Sequence, residues 1–141
     1  MADRTTPIRI VIAEDNAADV LLVREALNAH RIPFEMRHLR DGAEAIAALC
    51  GNQPGWSNPD LILLDLNMPK VGGLEVLAAM RKNAAFDNVP IIVLTSSPAP
   101  EERQAARSLG VAHYLQKPSD LYEFIEKVGG AIEEVVRQKC G

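Results

Sequence analysis

Short apolar runs alternate with segments of helical periodicity along the chain. The apolar runs are typical of buried strands and comprise Ile8–Ala13, Phe34–Leu39, Leu61–Leu64, Pro90–Leu94 and Val111–Leu115. The periodic segments predict amphipathic helices at Ala17–Ala29, Ala43–Leu49, Gly73–Lys82, Glu101–Leu109 and Ser119–Gln138. The pattern therefore predicts a strand followed by a helix, repeated five times.

This regular alternation predicts an α/β fold with a parallel sheet. Helices that connect parallel strands form right-handed crossovers, which yields a doubly wound sheet. Leu61–Leu64 and Pro90–Leu94 are the most uniformly apolar strands and belong at the centre, beside Ile8–Ala13. Phe34–Leu39 carries charged residues and belongs at an edge. We expect the strand order 2-1-3-4-5, with functional residues beyond the carboxyl ends of the strands.

Length and composition narrow the class of protein. A chain of 141 residues predicts a single domain over residues 1–141, with a core from about 8 to 128 and a last helix to about 138. The net charge of −4 and the aromatic content of 4% argue against a nucleic-acid partner. The apolar runs are too short to span a membrane, and Met1–Ile10 lacks the apolar core of an export leader. Cys50 and Cys140 form neither a disulfide framework nor a zinc motif, so we expect a cytoplasmic protein.

Charged and hydroxyl side chains follow four of the predicted strands. Glu14 and Asp15 follow the first strand, Asp65 the third, Thr95 the fourth and Lys117 the fifth. Each residue alone is typical of a helix cap or a turn, but parallel strands end at the same edge of a sheet, so these groups should share one crevice. Neighbouring carboxylates repel unless a proton or a cation lies between them. Oxygen ligands without nearby His or Cys favour Mg²⁺, so the sequence predicts a magnesium site.

The motifs at these strand ends resemble the receiver domain of two-component response regulators. The matching stretches are VIAEDN (11–16), PDLILLDLNMP (59–69), GGL (72–74), PIIVLTS (90–96), GVAHY (110–114) and QKP (116–118). The resemblance implies a flavodoxin-like (βα)5 sandwich. It also implies a phosphorylation switch whose output is binding, rather than an enzyme that turns over other substrates.

The resemblance assigns a role to each residue of the crevice. Asp65 would accept a phosphoryl group from a sensor histidine kinase and become an aspartyl phosphate. Asp15, Asp65 and the backbone carbonyl of Asn67 would bind Mg²⁺, and Glu14 would act through a metal-bound water. Lys117 and the metal would neutralise the phosphoryl oxygens.

Further residues match the switch of this family. Thr95 would turn its hydroxyl toward a phosphoryl oxygen, and Tyr114 would move inward into the space that Thr95 leaves. The peptide bond before Pro118 would be cis and would aim Lys117 inward. These movements would alter the face made by the fourth helix, the fifth strand and the fifth helix, where a protein partner would bind.

A closer resemblance is to the small regulators paired with bacterial phytochrome kinases. It rests on Glu14–Asn16 with Asp19, on LRDG at 39–42, on LTSS at 94–97 and on the long loop that holds Trp56. In that group the receiver stands alone and often dimerises, and the apolar spacing of the last helix also indicates a homodimer surface. Asp19 would support the metal shell or favour the first helical turn. Trp56 would cover the rim of the fold or, as the lesser alternative, contact a partner.

Alternative protein classes require particular residues at the strand ends, and these can be compared with the residues of this chain. A haloacid-dehalogenase-type phosphatase, the main alternative, needs a second Asp two residues after the nucleophile, where this chain has Asn67. A flavodoxin-like cofactor binder needs a Ser/Thr/Gly-rich loop after the first strand, where this chain has Glu14 and Asp15. A receiver that no longer accepts phosphate would lack part of the acid, threonine and lysine set. The histidines are expected to be structural or exposed rather than ligands; they are His30, His38 and His113.

Overall fold

The computed structural model describes residues 6–50, 59–68 and 70–140. Its strands are β1 (Ile8–Ala13), β2 (Phe34–Leu39), β3 (Leu61–Leu64), β4 (Ile91–Thr95) and β5 (His113–Gln116). Its helices are α1 (Ala17–Ala29), α2 (Gly42–Cys50), α3 (Gly73–Arg81), α4 (Pro100–Ser108) and α5 (Leu121–Cys140), with a 3₁₀ helix at Ala84–Phe86. The predicted alternation is confirmed. Trp56 and the side chains of Cys50 and Cys140 lie outside the described part of the chain, so the expected place of Trp56 stays a prediction.

The strands pair in parallel, and their order across the sheet is β2-β1-β3-β4-β5. In the register of the central strands, Ile10 lies opposite Met36 of β2 on one side and Leu61 of β3 on the other. The predicted order 2-1-3-4-5 is therefore confirmed. It places β1 beside β3, so the acidic residues that follow these two strands meet at one edge of the sheet.

Two apolar layers cover the faces of the sheet. Ile10 and Ile12 pack against α1 and α5, where Phe124 is among the buried residues. Val11 faces the other way and packs with Leu77 of α3. Successive residues of a strand point to opposite faces, so a strand that is covered on both faces must be apolar throughout. Among the described residues, no helix is both long and apolar enough to cross a membrane.

The ends of several elements differ from the prediction by one or two residues. β4 continues to Thr95, whose carbonyl accepts a hydrogen bond from the backbone N–H of Lys117 at 2.7 Å and so extends the pairing with β5. α5 begins at Leu121, because Asp120 caps it by accepting from the backbone N–H of Glu123 at 2.8 Å. The consequence for the site is that Thr95 belongs to the sheet rather than to the following loop.

α5 runs unbroken through Gly129 and Gly130, although glycine is unfavourable inside a helix. A Cβ atom on Gly129 would clash with the ring of His30, whereas one on Gly130 would meet nothing within 4 Å. Gly129 therefore allows α5 to pack closely against the end of α1.

Candidate functional site

Glu14, Asp15 and Asp65 form an acid cluster at the carboxyl edge of the sheet. Ala13 lies opposite Leu64 in the register of β1 and β3, and the N–H of Asp65 donates to the carbonyl of Ala13 at 3.0 Å. One carboxylate oxygen from each of the three acids lies within 4.8 Å of the others. Glu14 and Asp65 are only 2% and 4% exposed, whereas Asp15 is exposed. The predicted acidic residues are thus brought together, with one of them open to solvent.

The ammonium group of Lys117 lies among these carboxylates. Its Nζ is 2.6 Å from Glu14 Oε1, 2.7 Å from Asp19 Oδ2 and 3.5 Å from Asp65 Oδ2. The backbone bond from Lys117 to Thr95 aligns the end of β5 with that of β4 and so directs the side chain to this edge. One positive charge beside several carboxylates leaves this part of the described chain negatively charged.

Burial and neighbouring charges change the proton affinities of Glu14 and Lys117. Burial, followed by the adjacent Asp65 carboxyl group, raises the pKa of Glu14 to about 8, although Lys117 opposes this shift. Burial alone would lower the pKa of Lys117, but hydrogen bonds with Asp19 and Glu14 outweigh burial and raise it. Lys117 is therefore charged at neutral pH, and Glu14 holds its proton more tightly than a carboxyl group in water does.

The acid cluster fits a divalent cation. Carboxylates at this separation repel one another unless a proton or a cation lies between them. The three ligand groups are all carboxylates, and the cluster as described contains no histidine or cysteine. Such a donor set favours a hard cation such as Mg²⁺ or Mn²⁺ over zinc. The exposed Asp15 gives a cation access from solvent.

Asn67 and Thr95 extend the site along the same edge of the sheet. The backbone N–H of Asn67 donates to Asp65 Oδ1 at 3.1 Å, and its side-chain amide donates to the Thr95 hydroxyl at 3.4 Å. Thr95 is fully buried, and its hydroxyl also accepts from the N–H of Ser97 at 3.2 Å. A Cβ atom on Gly73 would clash with the Asp65 carbonyl, so glycine there lets α3 begin directly beside the turn that follows β3. Thr95 is therefore connected to Asp65 through Asn67.

Comparison with known proteins shows which family shares this arrangement. The family model of the response regulator receiver domain matches residues 10–129. The chain belongs to the response regulator receiver family. The matched range includes the acid cluster, Thr95, Lys117 and all five strands apart from the first residues of β1.

Several similar receivers match nearly the whole chain. Response regulator Rcp1 of Synechocystis sp. is 38% identical over 133 residues, which cover 92% of this chain and 90% of that protein. The crystal structure of the phosphorylated cyanobacterial phytochrome response regulator RcpA has a TM-score of 0.85 and 37% identity, over 96% of this chain and 98% of that one. The structure of the Mn²⁺-bound form of Rcp1 has a TM-score of 0.80 and 40% identity, over 88% of this chain and 91% of that one. This receiver is therefore homologous to phytochrome-associated response regulators.

The family match decides between the receiver and the haloacid-dehalogenase-type phosphatase in favour of the receiver. The phosphatase would need a carboxylate at the position of Asn67 to act as acid and base. In this receiver Asn67 instead donates hydrogen bonds to Asp65 and Thr95.

Tyr114 of this receiver lies on the edge strand β5. The guanidinium carbon of Arg103 lies 5.3 Å from the centre of its ring. The Tyr114 hydroxyl is buried and, within the described ranges, has no hydrogen-bond partner. Burial and the nearby Glu102 carboxylate raise the pKa of Tyr114. Because an unsatisfied buried hydroxyl costs free energy, another position of the ring that gave it a partner would be favoured.

The prediction of a cis bond before Pro118 is wrong. The structure has no cis peptide bond among the residues that it describes, so the Lys117–Pro118 bond is trans. The two forms differ by only about 0.5–1 kcal/mol before proline, so a Lys-Pro dipeptide does not decide between them. With a trans bond, the Lys117 ammonium already reaches Glu14 and Asp65.

Sequence reasoning missed the contact between Asp19 and Lys117. Asp19 does lie in the first turn of α1, as predicted, but its carboxylate also accepts a hydrogen bond from Lys117 Nζ at 2.7 Å. The available signal was that α1 begins two residues after Asp15, which places its first turn close to the acid cluster. His38 has the structural role predicted for it, since its Nε2 lies 2.6 Å from the carbonyl oxygen of Glu14.

Proposed function

We propose that this receiver accepts a phosphoryl group on Asp65 from the phosphohistidine of a sensor histidine kinase. The observation that carries the proposal is the position of the buried Asp65 carboxylate between two donors. The Lys117 ammonium lies 3.5 Å from Oδ2, and the N–H of Asn67 lies 3.1 Å from Oδ1. Donors placed in this way can stabilise the charge of a phosphoryl group during its transfer. The homologue RcpA has a phosphorylated form, which supports the same chemistry here.

In the proposed transfer, a carboxylate oxygen of Asp65 forms a bond to phosphorus while the P–N bond of the phosphohistidine breaks. The electron pair of the broken bond stays on the imidazole nitrogen, which takes up a proton from water. Lys117 can follow the phosphoryl oxygens, because its ammonium ends a flexible stem. The product is an aspartyl phosphate on the receiver itself. The receiver thus assists its own phosphorylation and dephosphorylation and does not turn over other substrates.

Mg²⁺ is the cation that we propose for the acid cluster. Asp15, Asp65 and the backbone carbonyl of Asn67 would hold it, and Glu14 would act through a metal-bound water. A cation bound there would offset the negative charge of the phosphoryl oxygens. Rcp1 has a Mn²⁺-bound form, and both cations prefer oxygen ligands.

Thr95 and Tyr114 are the proposed switch residues. The Thr95 hydroxyl accepts from the N–H of Ser97 at 3.2 Å, and it would instead donate to a phosphoryl oxygen on Asp65. The Ser97 hydroxyl in turn donates to Glu102 Oε1 of α4 at 3.2 Å. A change at Thr95 would therefore reach α4 and make room for the ring of Tyr114. The face formed by α4, β5 and α5 is the proposed binding surface.

The proposed phosphoryl donor is a cognate histidine kinase of the bacterial phytochrome type, which the homology to Rcp1 and RcpA supports. We also propose that residues 1–141 form a single receiver domain in the cytoplasm, with a homodimer through the α4-β5-α5 face. The family match to residues 10–129 supports the single domain. A net charge of −4 supports a protein partner rather than nucleic acid or a membrane.

Intact-mass spectrometry after incubation with acetyl phosphate and Mg²⁺ tests the phosphoacceptor. We expect the wild type to gain one phosphoryl group that is labile in acid and base, and Asp65→Asn to gain none. Asp87→Asn removes an exposed carboxylate that precedes β4, at the opposite edge of the sheet, and should be phosphorylated like the wild type. A wild type without added mass would refute the proposal. Rapid release of phosphate from phosphate esters would favour the phosphatase instead.

Sedimentation velocity with and without beryllofluoride, a stable phosphoryl mimic, tests the homodimer. A dimer in either sample that is lost after substitution of exposed residues on α4 would support the proposed surface. Monomers in both samples would contradict it.

A further inference from the structure

The Lys117 ammonium group is shared between two acidic side chains, Glu14 and Asp19, neither of which is the proposed nucleophile. Its Nζ lies 2.6 Å from Glu14 Oε1 and 2.7 Å from Asp19 Oδ2, but 3.5 Å from Asp65 Oδ2. The two shorter distances are those of charge-assisted hydrogen bonds, whereas the distance to Asp65 is longer than such a bond. Lys117 is therefore hydrogen-bonded to Glu14 and Asp19 and forms a longer ion pair with Asp65.

Asp19 is held in place by the first turn of α1. Asn16 caps this turn by accepting from the backbone N–H groups of Ala18 and Asp19 at 2.9 Å and 3.4 Å. The next residue, Val20, is buried in the layer between α1 and the sheet. The side chains of Asp19 and Lys117 are 19% and 12% exposed, so water screens their attraction only weakly. The bond therefore limits where the ammonium group can lie.

We propose that Asp19 is a positioning residue for phosphoryl transfer, because it holds the Lys117 ammonium to one side of the Asp65 carboxylate. Without Asp19, the ammonium would divide its time between Glu14 and Asp65. A closer, hydrogen-bonded ion pair with Asp65, in place of the present separation of 3.5 Å, would draw electron density from the attacking oxygen and would compete with the incoming phosphoryl group. This role rests on the proposed phosphoacceptor function of Asp65 and deepens it.

Three variants separate this positioning role from charge and folding. Asp19→Ala removes the carboxylate, whereas Asp19→Asn keeps an oxygen acceptor in the same place without the charge. Glu25→Gln removes an exposed carboxylate further along α1 and controls for net charge. Circular dichroism and thermal unfolding establish whether each variant is folded. If Asp19→Ala does not fold, Asp19→Asn still tests the role of the Asp19 charge.

The first measurement is the initial rate of phosphorylation by acetyl phosphate at saturating Mg²⁺. We expect Asp19→Ala to react about tenfold more slowly than the wild type, the factor expected for one charge-assisted hydrogen bond. Asp19→Asn should stay within about threefold of the wild type, because a neutral hydrogen bond is roughly half as strong. Glu25→Gln should react like the wild type. Equal rates for the wild type and both Asp19 variants would overturn the positioning role, and so would an equal loss in Glu25→Gln.

The second measurement observes Lys117 without phosphate or metal. In protein labelled with ¹⁵N at lysine Nζ, the Lys117 ammonium protons should exchange slowly with water in the wild type and faster in Asp19→Ala. The signal is assigned by its loss in Lys117→Arg. Unchanged exchange in Asp19→Ala would overturn the contact itself. If the wild type is not phosphorylated at all, the proposed function fails and the positioning role falls with it, even where the exchange data confirm the contact.

Discussion

Burial beside Asp65 gives Glu14 an unusual proton affinity. Its pKa rises from 4.5 to about 8, so between these pH values the Glu14 carboxyl group binds more protons in the folded protein than in the unfolded chain. A state that binds more protons is favoured at low pH. The contribution of Glu14 to the free energy of unfolding therefore falls as the pH rises through this window, by up to about 1.4 kcal/mol per pH unit.

We accordingly expect metal-free wild-type protein to become less stable as the pH is raised from about 5 to about 8. Glu14→Gln, which keeps the shape of the side chain but cannot ionise, should lose most of this dependence. Urea unfolding in the presence of a chelator, repeated across this pH range, measures the slope. The same slope in both proteins would show that Glu14 is not the group responsible.

The buried Tyr114 hydroxyl provides a second prediction for a single residue. Since the hydroxyl has no partner among the described residues, Tyr114→Phe should leave the stability of the unphosphorylated protein unchanged or raise it. Tyr122→Phe is the matched control, because that side chain is 72% exposed and its change should be neutral. A loss of more than about 1 kcal/mol in Tyr114→Phe, measured by urea unfolding, would indicate a hydrogen bond to the hydroxyl.

The two glycines of α5 differ in their effect on stability, because Gly129 lies against His30 and Gly130 faces open space. Gly130→Ala should stabilise the protein by about 1 kcal/mol, because alanine is the better helix former and the added Cβ meets nothing within 4 Å. Gly129→Ala should destabilise it, because the Cβ would clash with the ring of His30. Thermal unfolding of the two variants should therefore give shifts of opposite sign.

A double variant tests whether His30 is the cause. In a protein that already carries His30→Ala, the added Gly129→Ala no longer meets the histidine ring. It should therefore stabilise that protein, because alanine is the better helix former. A double variant that is no more stable than His30→Ala alone would contradict the proposed clash.

At the scale of the whole molecule, cation binding at the acid cluster should be coupled to folding. A ligand that binds only the folded protein stabilises it by about 2.7 kcal/mol at one hundred times its dissociation constant. We expect Mg²⁺ to raise the unfolding midpoint of the wild type, and Asp15→Asn to reduce this gain strongly. Asp15 is exposed, so its substitution should change the metal-free stability little. An equal gain in both proteins would place the cation elsewhere.

The fold as a whole could be predicted because it depends on a repeated pattern. β3 and β4 are apolar at every position that the prediction assigned to the strand interior, while β2 alternates with charged residues such as Glu35 and Arg37. This contrast separates central strands from an edge strand. A strand that is covered on both faces is destabilised by a polar residue on either face, whereas an edge strand can expose one to solvent. The crossover rule then leaves few possible orders.

Which residues gather at the site could also be predicted, because parallel strands end at one edge. Glu14, Asp65 and Lys117 each follow a strand and Thr95 ends one, and the structure brings them together as the topology requires. Their partners could not be predicted in the same way. The bond between Lys117 and Asp19 joins residues 98 positions apart, and it depends on how the tertiary fold places the first turn of α1 relative to the end of β5.

The sequence by itself therefore determined the element order, the central strands and the set of acidic, hydroxyl and basic groups at the strand ends. Only the tertiary structure decided that Lys117 lies between Glu14 and Asp19, that Lys117–Pro118 is trans and that Gly129 faces His30. The physical reason is the distance along the chain over which each determinant acts. Hydrophobic periodicity acts over a few neighbouring residues, whereas a side-chain contact or a choice between nearly equal isomers depends on small free energies summed over the whole packed structure.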